Sequence, residues 1–302
     1  MRVLVLLLVL TGCEIAQVTV SEPVSSVIAE VYLRVDDGAP DGIAILHRTS
    51  GSDPIVLSGA SIRAVGEGGT TIRFQQRPQS ECIDGELPED TDPACYRTMG
   101  LDRFNLQAGE RYEILVDLQE GASLAGTVTL PSDFEIRTPS TAPLTCDLSP
   151  FTIVPVIWTQ AEGAWAYVPE AEIFGLQAAL AEEGIPVASE PVTLLGLSVS
   201  QRDTTIAFPS EFGIFNRFSD DREVLVFLQQ GFPETEELLT GRVVVSAQER
   251  NATNWNRGGI FNPSGQVRVP SLFGDGTGVA AGVVNRSFEF SFDAGEDFEP
   301  CA

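Results

Sequence analysis

His47 is the only histidine of this 302-residue chain, and this limits the reactions that the chain can catalyse. A Ser-His-Asp or Cys-His arrangement would have to use it as the base. It lies, however, between Leu46 and Arg48, in a segment whose alternation of apolar and polar residues predicts a strand. We interpret His47 as a histidine on the surface of a strand. Sites that require two or more histidines are excluded.

A polar segment between residues 251 and 266 has the composition of a ligand-binding loop. It combines an aromatic side chain with amide and guanidinium donors, namely Asn254, Trp255, Asn256 and Arg257. Stacking and directional hydrogen bonds of this kind suit neutral polar ligands such as sugars. The alternative is a surface loop whose tryptophan packs into the fold.

Acidic side chains crowd the segment between Cys82 and Cys95. Four of them supply the oxygen atoms that calcium prefers, namely Asp84, Glu86, Asp90 and Asp92, although their order does not match an EF-hand. We expect either a solvated acidic loop or a calcium site, and no other cofactor. The many carboxylates also leave open a glycoside hydrolase, which needs two of them at a defined separation.

The first thirteen residues resemble the export signal of bacterial lipoproteins. The apolar run Val3–Leu10 is much shorter than the roughly 20 residues of a membrane-spanning helix, so it fits a signal peptide. Leu10-Thr11-Gly12-Cys13 follows in the pattern of a lipobox, in which the cysteine thiol receives the lipid. We expect a signal peptide over 1–12 and a lipidated tether over 13–26. Glu14 favours the outer membrane as the destination, because retention in the inner membrane favours aspartate there.

Export to an oxidising compartment would let the four other cysteines form disulfides. Three pairings are open. We favour Cys82 with Cys95, which closes a short loop worth roughly 3 kcal/mol, and Cys146 with Cys301. A metal site is disfavoured because no C-x-x-C spacing occurs.

The charge of the chain excludes further classes of function. All 18 basic residues are arginines, and against 43 acidic residues they leave a formal net charge of −25. Such a surface repels phosphate backbones, so we expect no nucleic-acid partner. A P-loop is excluded because it needs a lysine.

The elements that must position these residues are mostly strands. In the first half the alternation predicts Val27–Arg34, Ile43–Arg48, Ser61–Val65, Thr70–Phe74, Arg111–Leu118 and Ala125–Leu130. Because no helical period lies between them, they predict an antiparallel β-sandwich over 27–136, immunoglobulin-like or carboxypeptidase-regulatory-like. A linker rich in Pro, Thr and Ser is predicted over 137–150.

Residues 151–302 predict a second, mostly-β domain with one helix. The predicted strands are Phe151–Thr159, Val192–Ser200, Glu223–Gln229, Gly241–Ala247 and Ser287–Phe292. The helix is predicted over 169–184, because Pro169 suits the start of a helix and Gly184 with Pro186 suits its end.

Three segments of the first half resemble a known family. They are "DPIVLSGASIRAVGEGG" (Asp53–Gly69), "LQAGERYEILVDLQEG" (Leu106–Gly121) and "GTVTLP" (Gly126–Pro131). Together they resemble the sandwich domain of the bacterial lipoproteins called domain of unknown function 4249. The resemblance implies an outer-membrane lipoprotein that accompanies a TonB-dependent nutrient receptor, and it brings no established catalytic residues.

From the sequence we therefore expect a non-catalytic lipoprotein of the cell envelope, a binding or accessory subunit of a surface nutrient-uptake system. Two alternatives stay open, a carboxylate-based glycoside hydrolase and a structural or adhesive surface lipoprotein. A deep pocket with two carboxylates about 5 to 9 Å apart would favour the enzyme. A broad exposed aromatic face would favour the adhesive protein.

Overall fold

Strands dominate the described part of the chain. The computed structural model describes residues 25–49, 57–83, 92–119, 121–140, 145–147, 153–185, 190–198, 200–212, 224, 226–227, 239–257 and 268–292. The prediction of a mainly-β fold is confirmed. Within these residues, no helix has the length and apolar character needed to cross a membrane.

The strands are β1 (Val27–Asp36), β2 (Ala39–Arg48), β3 (Ser61–Gly66), β4 (Thr71–Arg77), β5 (Ala94–Thr98), β6 (Arg111–Asp117), β7 (Ser123–Thr129), β8 (Ile136–Thr138), β9 (Thr145–Asp147), β10 (Val154–Trp158), β11 (Ala166–Phe174), β12 (Val192–Leu195), β13 (Thr205–Phe208), β14 (Leu239–Gln248), β15 (Leu272–Gly274) and β16 (Gly276–Phe292). The helices are α1 (Leu176–Glu182) and α2 (Arg250–Arg257), with 3₁₀ turns at Gln79–Glu81 and Asp102–Asn105.

Nine of these strands form a closed sheet, which we call the ring. Its order is β1-β2-β5-β4-β3-β6-β7-β15-β16, and β16 pairs with β1 to close it. That closing pair is parallel, from Val27 opposite Gly276 to Asp36 opposite Asn285, whereas the other neighbours are antiparallel. The ring therefore differs from the predicted sandwich. Alternation identified half-buried strands, but it could not show that the last strand pairs with the first.

Apolar side chains fill the inside of the ring. Val31 and Leu33 of β1 and Ile114 of β6 are fully buried in one core cluster. Tyr96 lies among them because its hydroxyl group has two partners, donating to the carbonyl of Leu57 and accepting from the backbone N–H of Ala60. The ring is thus a packed core that holds the outward-facing residues of its strands in fixed register.

Strand β16 also carries the rest of the sheet. Its C-terminal half pairs with β14, which is followed by β11 and β12; we call these three strands the extension. A second sheet, β13-β10-β8, packs on the C-terminal half of β16 through Phe208 and Phe290, whose ring centroids are 5.4 Å apart. The predicted linker over 137–150 does not separate two sheets, because β15 and β16 follow it in the chain and complete the ring.

Two predictions in the second half are wrong in local detail. The helix predicted over 169–184 is confined to α1, because the residues before it form β11, in which Ala171 and Ile173 alternate with half-buried glutamates. Pairing with β14 makes this segment a strand rather than a helix. In the strand predicted at Glu223–Gln229, the described residues 224, 226 and 227 are helical.

Candidate functional site

Strand β16 has an interruption in its strand pairing on each edge. On one edge β15 pairs up to Gly278 and β14 pairs from Val283, so no described strand pairs with residues 279–282 on that edge, although β1 pairs with them on the other. On the other edge β1 ends opposite Asn285 and β9 begins opposite Glu289, which leaves residues 286–288. We call residues 279–282 the covered gap and residues 286–288 the open gap.

Side chains replace the missing strand at the covered gap. The Ala280 N–H donates to Ser271 Oγ at 2.9 Å, and Asn251 Nδ2 donates both to the Ala280 carbonyl and to the Thr127 carbonyl of β7, each at 3.0 Å. The Gly282 N–H donates to Glu249 Oε1 at 3.3 Å. Asn251 therefore bridges β7 and β16 beyond the end of β15, the short strand that lies between them in the sheet.

Glu249 also caps helix α2. Its carboxylate accepts the backbone N–H groups of Asn251 at 2.6 Å and Ala252 at 2.7 Å, which a helix start leaves without partners. Burial raises the pKa of Glu249 above its ordinary value, although the backbone donors, including Gly282, act in the opposite direction. One buried carboxylate thus holds the helix on the ring.

Helix α2 shields a polar cluster on the outside of β1. Trp255 is only 6% exposed, and its indole Nε1 donates to Glu30 Oε2 at 3.4 Å. The same carboxylate contacts Tyr32, whose hydroxyl donates at 2.5 Å, and His47 Nε2 at 3.2 Å. Arg268 lies 3.6 Å from Glu30 Oε1 and stacks 5.0 Å from the Trp255 ring. His47 therefore lies on a strand, as predicted, but its ring contacts a carboxylate.

The ionisation of this cluster follows from its contacts. Burial acts to raise the pKa of Glu30, but hydrogen bonds from His47 and Tyr32 and the charges of His47 and Arg268 outweigh it, so the pKa lies below its ordinary value. Burial, and then the Glu30 carboxylate, raises the pKa of Tyr32 far above its ordinary value. The Glu30 carboxylate is therefore charged, lies beneath α2 and has its hydrogen bonds satisfied.

The open gap is closed only in part. Asp37, in the turn between β1 and β2, takes a positive φ of 47° and accepts the Ser287 N–H at 2.9 Å. The Ser287 hydroxyl donates to the same carboxylate at 2.7 Å and accepts from Arg242 Nη2 at 2.9 Å. Arg286 donates to the Phe134 carbonyl at 3.1 Å and pairs with Asp133.

A cleft of about 600 Å³ opens at this gap. Its apolar lining residues, Phe134, Ile136 and Phe288, are only 2%, 8% and 4% exposed, so they offer little apolar surface to a ligand. The volume lies within the range of small-molecule sites.

The charged groups of the cleft fall into paired and unpaired sets. Arg242 pairs with Asp37 at 3.3 Å, and Arg286 pairs with Asp133. Glu135 and Glu289 also line the cleft, and within the described residues neither carboxylate has an ion pair or hydrogen bond. The cleft therefore presents two unpaired negative charges.

The described part of the predicted ligand loop, residues 251–257, lies in helix α2. Asn254 and Asn256 are half-buried, Asn256 donates to Gln248 at 3.1 Å, and Trp255 is buried against Glu30. Of Arg257 only the backbone, at the end of α2, is described. The buried position of Trp255 agrees with the packing alternative.

The predicted calcium and cysteine sites lie partly outside the described residues. Five of their residues lie outside the described part of the chain, namely Asp84, Glu86, Asp90, Cys13 and Cys301. Asp92 accepts a hydrogen bond from Gln79 at 2.9 Å, and the described residues hold no group of three metal-ligating side chains.

The disulfide between Cys82 and Cys95 is confirmed. Cys146 lies in β9 opposite Phe290, and its pairing with Cys301 stays a prediction.

Sequence reasoning missed the cleft. Its residues come from the turn after β1, from residues 134–136, and from β14 and β16. The one available signal was a pair of arginines, Arg242 and Arg286, within predicted strands or beside them.

No protein-family model matches the chain, and no curated protein is found to be similar to it.

Proposed function

We propose that this protein is a non-catalytic lipoprotein of the cell envelope, anchored in the outer membrane through Cys13. The lipobox pattern at residues 10–13 supports the anchor. The Cys82–Cys95 disulfide carries the part of the proposal that concerns export, because it is independent of the leader and disulfides persist in oxidising compartments outside the cytosol.

The role that we propose is a binding or accessory subunit of a surface nutrient-uptake system. The cleft at the open gap supports a binding role, because it has a volume of about 600 Å³ and is lined by charged side chains. The resemblance to the family called domain of unknown function 4249 supports a TonB-dependent receptor as the partner. The contact of His47 with Glu30 supports a structural role for the sole histidine.

The two alternative functions receive less support. In a glycoside hydrolase the general acid is a carboxyl group whose burial raises its pKa, whereas the two unpaired carboxylates of the cleft, those of Glu135 and Glu289, are both exposed. An adhesive role needs a broad aromatic face, whereas the exposed aromatic residues in the described part of the chain lie on separate elements; they are Phe104, Trp165, Phe174 and Phe273.

Membrane fractionation tests the anchor. We expect the protein with Cys13→Ser to leave the membrane fraction, because acyl chains attached to that thiol supply the membrane affinity. Cys146→Ser is the control and should leave the protein in the membrane. Membrane association of the Cys13→Ser protein would refute the anchor.

Affinity capture of the tagged protein from solubilised outer membranes tests the accessory role. Recovery of a TonB-dependent receptor is the expected result. If no envelope protein is recovered after mild cross-linking, the accessory role is wrong.

A further inference from the structure

We propose that residues 99–104, which we call the tip, insert into the lipid bilayer that holds the proposed anchor. This inference rests on the membrane location proposed above and deepens it, because it assigns the surface of the fold that meets the lipid.

The tip exposes three large apolar side chains within six residues. Met99 is 37% exposed, Leu101 82% and Phe104 54%. Leu101 is the most exposed large apolar residue of the described chain, and no other six consecutive residues described in the structure expose three such side chains. Apolar surface of this kind gains free energy when it leaves water.

The conformation of the tip keeps these side chains exposed. The tip follows β5 and passes into the 3₁₀ turn Asp102–Asn105, in which the Phe104 N–H donates to the Leu101 carbonyl at 3.1 Å. Leu106, directly after the turn, is only 4% exposed and joins the core of the ring. The turn therefore buries its base and leaves Leu101 and Phe104 in water, so lipid contact requires little further ordering of the chain.

The small extent of the tip favours lipid over protein as its partner. A stable protein interface buries about 800 Å² on each partner and involves roughly 20–30 residues of each. The apolar exposure here is confined to residues 99–104. Apolar side chains that enter the boundary between headgroups and acyl chains are buried there without a matching pocket.

A positive charge beside the apolar side chains matches the phosphates of lipid headgroups. The Arg103 guanidinium lies 4.9 Å from the centre of the Phe104 ring, and Arg103 has no ion pair with a described residue. The acidic residue of the tip, Asp102, lies 3.6 Å from Arg73, which is 71% exposed. Arginine side chains extend along apolar surface and hold their charge at the level of the headgroups. Arg103 can therefore donate to a phosphate without giving up an ion pair.

The charge of the remaining surface favours one orientation on the bilayer. The net charge of −25 repels anionic headgroups. The tip combines apolar side chains with an unpaired cation, so it can approach them. Lipid contact at the tip thus turns this end of the ring toward the bilayer.

The proposed anchor can reach the same bilayer. Strand β5 runs in the direction of β1, so the tip lies at the Asp36 end of the ring, whereas the chain enters the ring at Val27. A strand of ten residues, such as β1, spans about 33 Å. Residues 13–24 span at most about 40 Å when extended. Cys13 can therefore lie in the bilayer that the tip enters.

Quenching of tryptophan fluorescence by brominated lipid tests the proposal on the mature lipidated protein. The protein is reconstituted in vesicles of phosphatidylcholine and phosphatidylglycerol in equal parts, with or without bromine on the acyl chains. Phe104→Trp places a reporter at the tip. The control is Phe273→Trp, because Phe273 is 60% exposed and lies near Val27, at the opposite end of the ring.

We expect bromine to quench the fluorescence that Phe104→Trp adds to that of the wild-type protein. The fluorescence that Phe273→Trp adds should be the same with and without bromine. The emission of the Phe104→Trp protein should also shift to shorter wavelength when vesicles are present, because the new side chain leaves water.

Two further substitutions, each made in the Phe104→Trp protein, test what holds the tip in the bilayer. Leu101→Asp should abolish the quenching, because it places a charge at the most exposed apolar position. Arg103→Glu should reduce the quenching, because it repels the phosphates. Ile153→Asp is the control, since Ile153 is 59% exposed beside β10, and should leave the quenching unchanged. Thermal denaturation of each variant checks that the fold is intact.

Three results would overturn the proposal. They are no quenching of the Phe104→Trp protein, equal quenching of the Phe273→Trp protein, and quenching that Leu101→Asp does not reduce. Flotation of the same vesicles separates this inference from the anchor. Protein that floats with an unquenched tip overturns the inference alone and is the result expected if the tip binds a protein, whereas protein that does not float overturns the anchor as well.

Discussion

The covered gap and the open gap interrupt the same strand, yet they are filled differently. At the covered gap, Ser271, Asn251 and Glu249 satisfy the backbone groups of β16, and α2 lies over them. At the open gap, Asp37 takes the Ser287 N–H, and a cleft remains beside it. Where a helix covers a break in a sheet edge, side chains satisfy the backbone groups and the break is filled. Where only a turn reaches the break, a cleft remains that is a candidate binding site.

Among the tests of this comparison, we expect the removal of the Trp255 side chain to have the largest effect on stability. Trp255→Ala deletes a buried side chain that fixes α2, so we expect a loss of about 3–5 kcal/mol in the free energy of unfolding. Trp165→Ala is the matched control, since Trp165 is 44% exposed, and should cost less than about 1 kcal/mol. Urea denaturation measures both. Equal losses would show that α2 does not seal the gap through Trp255.

A pair of acidic residues, one at each gap, sharpens the comparison. Glu249→Ala leaves buried N–H groups of Asn251, Ala252 and Gly282 without an acceptor, and we expect a loss of about 2–3 kcal/mol. Asp37→Gly removes an acceptor from the Ser287 N–H, which water can replace, and glycine tolerates the positive φ. Its loss should stay below about 1 kcal/mol. If chemical denaturation shows a larger loss of stability for Asp37→Gly than for Glu249→Ala, the distinction between the covered gap and the open gap is contradicted.

The pH dependence of stability tests the cluster beneath α2, with a smaller expected effect. Because the pKa of Glu30 is lowered in the folded protein, its contribution is present above the unfolded pKa, near 4.5, and is lost as the pH falls through the folded value. We expect Glu30→Gln to destabilise the protein at pH 7 and to matter less at pH 3. Denaturation curves of both proteins at the two pH values measure this. If Glu30→Gln costs more stability at pH 3 than at pH 7, this prediction is wrong.

The sequence predicted the strands of the first half well, because their inner and outer faces alternate. All six predicted strands overlap observed ones, and the Cys82–Cys95 pairing is confirmed. Strand β5 was missed since Ala94, Cys95 and Tyr96 are all buried, which removes the alternation that identifies a half-buried strand.

Closure of the ring and the position of the cleft could not be predicted. Both depend on pairing between distant segments, and Asp37 and Ser287, which meet at the open gap, lie 250 positions apart. Alternation specifies which side of a strand is buried, but not which strand lies beside it. The helix around Trp255 could not be predicted either, because its two apolar residues, Ala252 and Trp255, are identified as a buried face only by their packing on β16 and β1.

The parallel pair of β1 and β16 has a consequence for the order of folding. A chain that is made or exported from its N-terminus presents β1 early, whereas the strand that covers its second edge arrives about 250 residues later. Closing such a long loop is slow, and an uncovered strand edge recruits other chains in the meantime. The ring therefore matures late in biogenesis, and the interval before β16 arrives is when a chaperone would protect the chain best.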